Sequence, residues 1–163
     1  PEAQAIVPKV VEKIEGWKGE VLYTRDTHRK NYLNTQEGKH LPISHCIYGT
    51  GGWQLVNEVA NAHHKPTELF ELDEYEKSTF GSIELMDELQ SFQEGTVFEI
   101  NSITLIGLCT DICVISNALL LKAALPEVPI IVDASCCAGV TPESHKNALA
   151  AMKMCQIEIV NEE

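Results

Sequence analysis

Three groups of residues have the types and spacing to do chemistry. The first centres on a thiol, Cys113, in the run Gly107-Leu108-Cys109-Thr110-Asp111-Ile112-Cys113-Val114. It falls at the start of a helix expected over Asp111–Ala124, just after a strand expected over Ser102–Leu108. A strand-turn-helix corner lifts a side chain to the carboxyl edge of a sheet. The free N–H groups and dipole of the helix start favour a thiolate there and can hold an oxyanion. The alternative is a buried cysteine packed under the helix. Cys109 makes a Cys-x3-Cys pair with Cys113, but a four-thiolate zinc site needs a second such pair, and the adjacent Cys136 and Cys137 have the wrong geometry. The second group is Asp26-Thr27-His28. At a strand end, residues two apart point to one side, so a carboxylate and an imidazole stand together as two ligands for a divalent metal. His45, seventeen residues beyond His28, could close the site, with Glu37 and His40 as further candidates. The alternative is that Asp26 caps a turn and the histidines are solvated. The third is Lys77, which follows the acidic run Glu71, Asp73, Glu74 and Glu76 and by itself reads as a surface lysine. Asp133 either lines the same edge or caps a turn, His63-His64 reads as surface, and Tyr48 and Trp53 read as core or rim.

These residues need elements to hold them. Apolar residues at Ile6, Val7, Val10, Val11 and Ile14 give Ala3–Ile14 a helical stripe. Glu20–Thr24 reads as a buried strand, Glu68–Leu72 as a weaker one, and Ser82–Gln90 as a helix with Ser82 as N-cap. After the strand and helix that carry Cys113 come a strand at Pro129–Val132 and a helix opened by Thr141-Pro142 and running to about Met154. Gln156–Val160 is the last strand. Strand and helix in alternation predict one α/β domain over residues 1–163, with a mainly parallel central sheet between two helical layers and right-handed crossovers. The exception is Arg25–Ala62, long, polar and rich in His and Gly, at a strand end where ligands bind in open α/β folds.

Composition narrows the function. The chain has 163 residues, 44% hydrophobic and 22% charged, with a net charge of −12, which argues against nucleic acid and against an anionic membrane surface. Neither a membrane-length apolar run nor a leader-like segment is visible, so a cytoplasmic location is expected. The six cysteines then read as free thiols, mostly small core residues.

Taken together, the motifs resemble those of the isochorismatase-like cysteine hydrolases. GLCTDICVISNA resembles the nucleophile motif; DTH, LPISHC and GTGGWQL within Tyr23–Leu55 resemble nicotinamidase-like members; EKSTFGS resembles the lysine motif; and DASCCAGVTPESH resembles the segment after the nucleophile helix. The resemblance runs over almost the whole chain in the correct order. It implies that Cys113 is the nucleophile, Lys77 the catalytic lysine, and the N–H groups of Cys109 and Cys113 the oxyanion hole, next to a cis Leu108–Cys109 peptide. It implies Asp26, His28 and His45 as ligands of one divalent metal (zinc, iron or manganese), with Glu37 where some members place a fourth. The implied reaction is hydrolysis of nicotinamide to nicotinate and ammonia through a thioester, by a protein expected to be a homo-oligomer; the alternatives are a family hydrolase of another small amide or ester, or a non-catalytic member of the family.

One family feature has no counterpart in this sequence. The third catalytic residue, an aspartate in a D-x-Q-x-D-F-like motif on the first strand, is missing, and Pro1–Lys9 resembles the segment just after it. The resemblance therefore places that strand and its aspartate before Pro1. Without it the sheet would hold a slot lined by unpaired backbone groups, each costing about 1–3 kcal/mol against a typical stability of about 5–15 kcal/mol. The 163 residues alone are accordingly expected neither to fold stably nor to hydrolyse amides.

Overall fold

The N-terminal stripe forms a helix in two pieces, α1 (Glu2–Ala5) and α2 (Val7–Gly16). Pro8 sits in the first turn of α2, where a missing N–H costs nothing, and the helix buries Val10 and Ile14. The computed structural model describes residues 1–64, 69–70 and 73–162. Five strands lie within them: β1 (Tyr23–Asp26), β2 (Glu74–Lys77), β3 (Ile103–Leu108), β4 (Ile130–Ala138) and β5 (Glu158–Val160). All pairings between these strands are parallel, as the alternation of strand and helix predicts. The strands fall into two sheets, β1-β2 and β3-β4-β5. Helices α5 (Ile83–Gly95), α6 (Ile115–Ala124) and α7 (Pro142–Met154) make the crossovers into β3, β4 and β5. Two shorter helices, α3 (Gln36–His40) and α4 (Asn57–Ala60), lie in the long segment between β1 and β2.

Both faces of β4 are covered. Ile130, Val132, Ala134 and Cys137 join a core with Val114, Ala118, Leu121, Leu149 and Met152 from the segments around α6 and α7. Cys136 packs instead with Val10 and Ile14 of α2. Adjacent cysteines thus serve opposite faces, as the two-residue period of a strand requires. A bulge between Leu105 and Gly107 shifts the β3–β4 register, and Gly107 takes a φ of 117°, which a side chain would strain. On the α2 face the buried Asp133 accepts hydrogen bonds from Lys13 (2.9 Å), Ser135 (2.8 Å) and Asn161 (3.0 Å). Asp133 is therefore an internal strand residue bolting α2 to β4, and it neither caps a turn nor lines the site edge.

Four local expectations change. The helix expected over Asp111–Ala124 opens as a wide turn over Thr110–Val114 and is α-helical from Ile115. β1 begins at Tyr23 rather than Glu20: Trp17 Nε1 donates to the Glu20 carbonyl (3.1 Å), and ladder pairing starts with Tyr23 N–H to Asp73 O (2.7 Å). The strand expected at Glu68–Leu72 lies largely outside the described residues. The strand that pairs with β1 is β2, inside the acidic run, where Tyr75 and Lys77 are buried and Glu74 forms an ion pair with Arg25. Finally, β4 runs beyond Val132 to Ala138. The helix caps are as read: Ser82 accepts from Leu85 N–H, and Thr141 with Ser144 forms a capping box. All six cysteines are free, and no helix among the described residues is long and apolar enough to cross a membrane.

Candidate active site

The parallel strands bring three carboxyl ends together. Asp26 ends β1, Lys77 ends β2 as its register partner, and Leu108 ends β3 just before the turn that carries Cys113. Equal register puts the Asp26 and Lys77 side chains on one side of the ladder, and Lys77 Nζ donates to Asp26 Oδ1. The same Nζ donates to the Thr79 carbonyl (3.1 Å) and approaches Cys113 Sγ at 3.5 Å. Lys77 is buried, so the surface-lysine reading fails; its position in the pleat turned it inward.

Cys113 lies in a widened turn, Thr110–Val114, where the Val114 N–H reaches back five residues to the Cys109 carbonyl (3.0 Å). The Leu108–Cys109 peptide is cis. The Cys109 backbone favours the charged form of the Cys113 sulfur. The turn is braced from α7 and its approach. Thr110, fully buried, shares a 2.8 Å hydrogen bond with His145 Nδ1, and both Asp111 carboxylate oxygens accept from Val140 N–H (3.1 and 3.3 Å).

The expected lowering of the Cys113 thiol pKa is not what this environment gives. Burial pushes it up, and the Asp26 carboxylate pushes further; Lys77 and the Cys109 backbone pull it down, but by less. A turn sequence shows the helix start but not how deeply the thiol is buried or how near a second strand brings Asp26. Burial raises Cys46 and Cys109 in the same way and drives Cys137 up to about 12.

Asp26, His28 and His45 converge, with one potential ligand atom from each lying within 4.8 Å of the others. His28 continues the line of β1 by pairing with Ile47, so residues 26 and 28 do share a side; Thr27, between them, accepts from Trp53 Nε1 on the other (2.9 Å). Glu37 Oε1 lies 3.6 Å from His28 Nε2 and 3.7 Å from His45 Nε2. It is delivered by α3, whose Gly38 stands so near Tyr32 that an added Cβ would sit 2.1 Å from the Tyr32 carbonyl oxygen. His40, in contrast, is exposed and bonds the Gln36 carbonyl. The donor set fits a divalent cation. His28 Nε2 is buried with no hydrogen-bond partner among the described residues, and a buried polar atom left unpaired costs free energy. His45 Nδ1 sits 2.9 Å from the Ile43 carbonyl, the contact that fixes a ligating imidazole with Nε2 free. Tyr48 and Trp53 pack with tilted rings at a centroid distance of 4.7 Å, under the guanidinium groups of Arg29 and Arg25 respectively.

Sequence reading missed the links that hold these groups: Thr79, Thr110 with His145, and Asn117. The one available signal was Asn117 itself, a lone amide in the apolar run from Ile115 to Ala124.

Parallel strands flanked by helices, with a thiol, a lysine and a carboxylate-imidazole cluster at their carboxyl ends, define an α/β protein with a candidate thiol-centred site. The Isochorismatase domain family matches residues 1–163, and the chain belongs to that family. Its structure is similar to nicotinamidase/pyrazinamidase from Bacillus subtilis (23% identity, 98% of this chain and 86% of that one, TM-score 0.77). It is also similar to pyrazinamidase/nicotinamidase from Streptococcus mutans (22% identity, 98% and 87%, TM-score 0.78). A third similar structure is pyrazinamidase from Pyrococcus horikoshii in complex with zinc (25% identity, 99% and 88%, TM-score 0.73). No protein of curated function matches the chain.

Proposed function

We propose that this isochorismatase-family hydrolase is a nicotinamidase-type amidohydrolase that converts nicotinamide and water to nicotinate and ammonia. The observation that carries the reading is the junction at Lys77. Its ammonium bonds Asp26 and approaches the Cys113 sulfur, so nucleophile, cation and metal-type cluster form one continuous site. In this reading the Cys113 thiolate, held by Lys77 and the Cys109 N–H, attacks the amide carbon. The tetrahedral oxyanion accepts from the N–H groups of Cys109 and Cys113. Protonated nitrogen leaves as ammonia, and water then cleaves the thioester to release the acid and restore Cys113. A divalent cation (zinc, iron or manganese) on Asp26, His28 and His45, with Glu37 beside them, would supply a Lewis acid for the ring nitrogen of a pyridine-type amide.

The proton carrier in this proposal is an aspartate on a strand preceding Pro1 in the polypeptide. Its support is the division of the strands: β1 and β3 both deliver site residues, yet they belong to separate sheets. A strand between them would pair both edges and reach the same carboxyl end. Comparing residues 1–163 with a longer form carrying that strand tests it; stable folding and equal activity of both would refute it.

Ammonia release from nicotinamide by the full-length protein, with and without chelator, tests the function. Release that chelator suppresses and Cys113→Ala abolishes is expected. Failure on nicotinamide with turnover of another small amide or ester would move the assignment to that substrate while keeping the thiol chemistry.

A further inference from the structure

A buried asparagine spans the two segments that carry the reacting pair. Asn117 lies in α6, four residues after Cys113, and is 5% exposed. An amide there is a poor choice for a helix interior and for a core unless its hydrogen-bonding capacity is used. It is used on both sides. Nδ2 donates to the Cys113 carbonyl (2.8 Å) and to the Phe80 carbonyl (3.3 Å), and Oδ1 accepts from the Ser82 N–H (2.9 Å). Phe80 and Ser82 belong to the turn that leads from Lys77 into α5. In that turn Gly81 faces α6, where an added Cβ would come into ordinary van der Waals contact with Leu120 (3.4 Å) and the Ser116 carbonyl (3.6 Å). The Thr79 hydroxyl donates to the Gly81 carbonyl (2.6 Å), and the Thr79 carbonyl accepts from Lys77 Nζ. A chain of contacts thus runs from Lys77 through Thr79 and residues 80–82 to Asn117 and back to Cys113.

We infer that Asn117 is a positioning residue: it clamps the Lys77 turn onto the nucleophile turn and so holds the Lys77 ammonium against the Cys113 sulfur. This rests on the reading of Cys113 and Lys77 as the reacting pair. The clamp matters because Lys77 ends a strand of one sheet while Cys113 follows a strand of the other, and no strand ladder among the described residues sets their separation. The groups acting on the sulfur are Lys77 of β2, Asp26 of β1, Cys109 of the nucleophile turn and Cys46 of the long segment. Lys77 is the one cation among them, so a loosened turn removes the favourable charge and leaves Asp26.

The test is a double-mutant cycle in the full-length protein, read as the rate of Cys113 carboxamidomethylation by iodoacetamide at neutral pH. The ultraviolet absorbance of the thiolate, measured against Cys113→Ala, is the second readout. Lys77→Met is expected to slow the reaction about tenfold or more, and Asn117→Ala about three- to tenfold. In the Lys77→Met background Asn117→Ala should add less than about twofold, because the group it positions is gone. Asn117→Thr keeps a hydroxyl for the Cys113 carbonyl but cannot reach Ser82; it should behave like Asn117→Ala and serves as the folded variant if alanine is not tolerated. An unchanged rate in a folded Asn117 variant, or equal slowing with and without Lys77, overturns the inference. If Lys77→Met itself leaves the rate unchanged, the reacting-pair reading falls instead.

Discussion

His28→Ala should abolish stabilisation by metal. Among the described residues His28 Nε2 is buried without a hydrogen bond, while His45 Nε2 and Glu37 Oε1 stand close by. A divalent cation would be bound by the folded protein and not by the dispersed ligands of the unfolded chain, so it should raise stability. At free metal a hundredfold above Kd the gain is about 2.7 kcal/mol. For a chain of this length, about 2–4 °C in Tm accompanies each kcal/mol, so zinc or manganese should raise Tm by about 5–11 °C. The His28 ring also packs on Tyr32 and His45, at centroid distances of 4.7 and 4.9 Å, so its deletion costs packing as well. For that reason each protein is compared with its own chelated state. Calorimetry with and without metal, alongside elemental analysis of dialysed samples, reads the effect. A full metal-dependent rise in His28→Ala, or none in the native protein, would refute the site.

Three further outcomes follow from the same geometry. Because burial and Asp26 hold the Cys113 thiol above its ordinary value, its alkylation should keep accelerating as pH rises past about 8.5; Cys137, pushed up to about 12, should stay unlabelled at neutral pH, as peptide mapping will show. Burial alone would raise the Asp133 carboxyl, but bonds from Lys13, Asn161 and Ser135 hold it below its usual range, so its stabilising contribution is present above about pH 4 and lost as pH falls through the folded value. Lys13→Met should cost about 1–3 kcal/mol at neutral pH and move acid unfolding to higher pH, measured by circular dichroism. Thr110→Val removes the His145 bond behind the nucleophile turn and should lower Tm by about 2–4 °C while slowing ammonia release.

Local signals carried most of the sequence reading. The Thr141-Pro142 helix start, the Ser82 cap and the apolar strand of Ile103–Leu108 are written in adjacent residues, and so is the side shared by Asp26 and His28. What stayed hidden depends on partners far along the chain. Glu74-Tyr75-Glu76-Lys77 looks like a solvated run until β1 turns Tyr75 and Lys77 inward and Arg25 neutralises Glu74. Asp133 looks like a strand end until Lys13, 120 residues earlier, bonds it. The direction of the Cys113 shift was misread for the same reason: the helix start is local, whereas burial and Asp26 are tertiary.

The placement of Lys77 and Asp26 on one sheet, and of Cys113 after the end of another, makes the site sensitive in a particular way. Within a sheet, backbone ladders fix neighbours in register, and the Asp26–Lys77 pair inherits that rigidity from β1 and β2. Between the sheets the work falls to side chains: the Lys77 approach to Cys113 and the Asn117 bonds to Phe80, Ser82 and Cys113. A strand joining β1 to β3 would add backbone pairing to that junction and bring its own terminal residue to the same edge. Structural and chemical completeness would then depend on the same element. If that strand carries the proposed aspartate, its loss should reduce Cys113 reactivity through misplacement of Lys77 as well as removing the proton carrier. Alkylation of Cys113 therefore separates the two effects: a chain that still positions Lys77 but lacks the carboxylate should alkylate normally and release no ammonia.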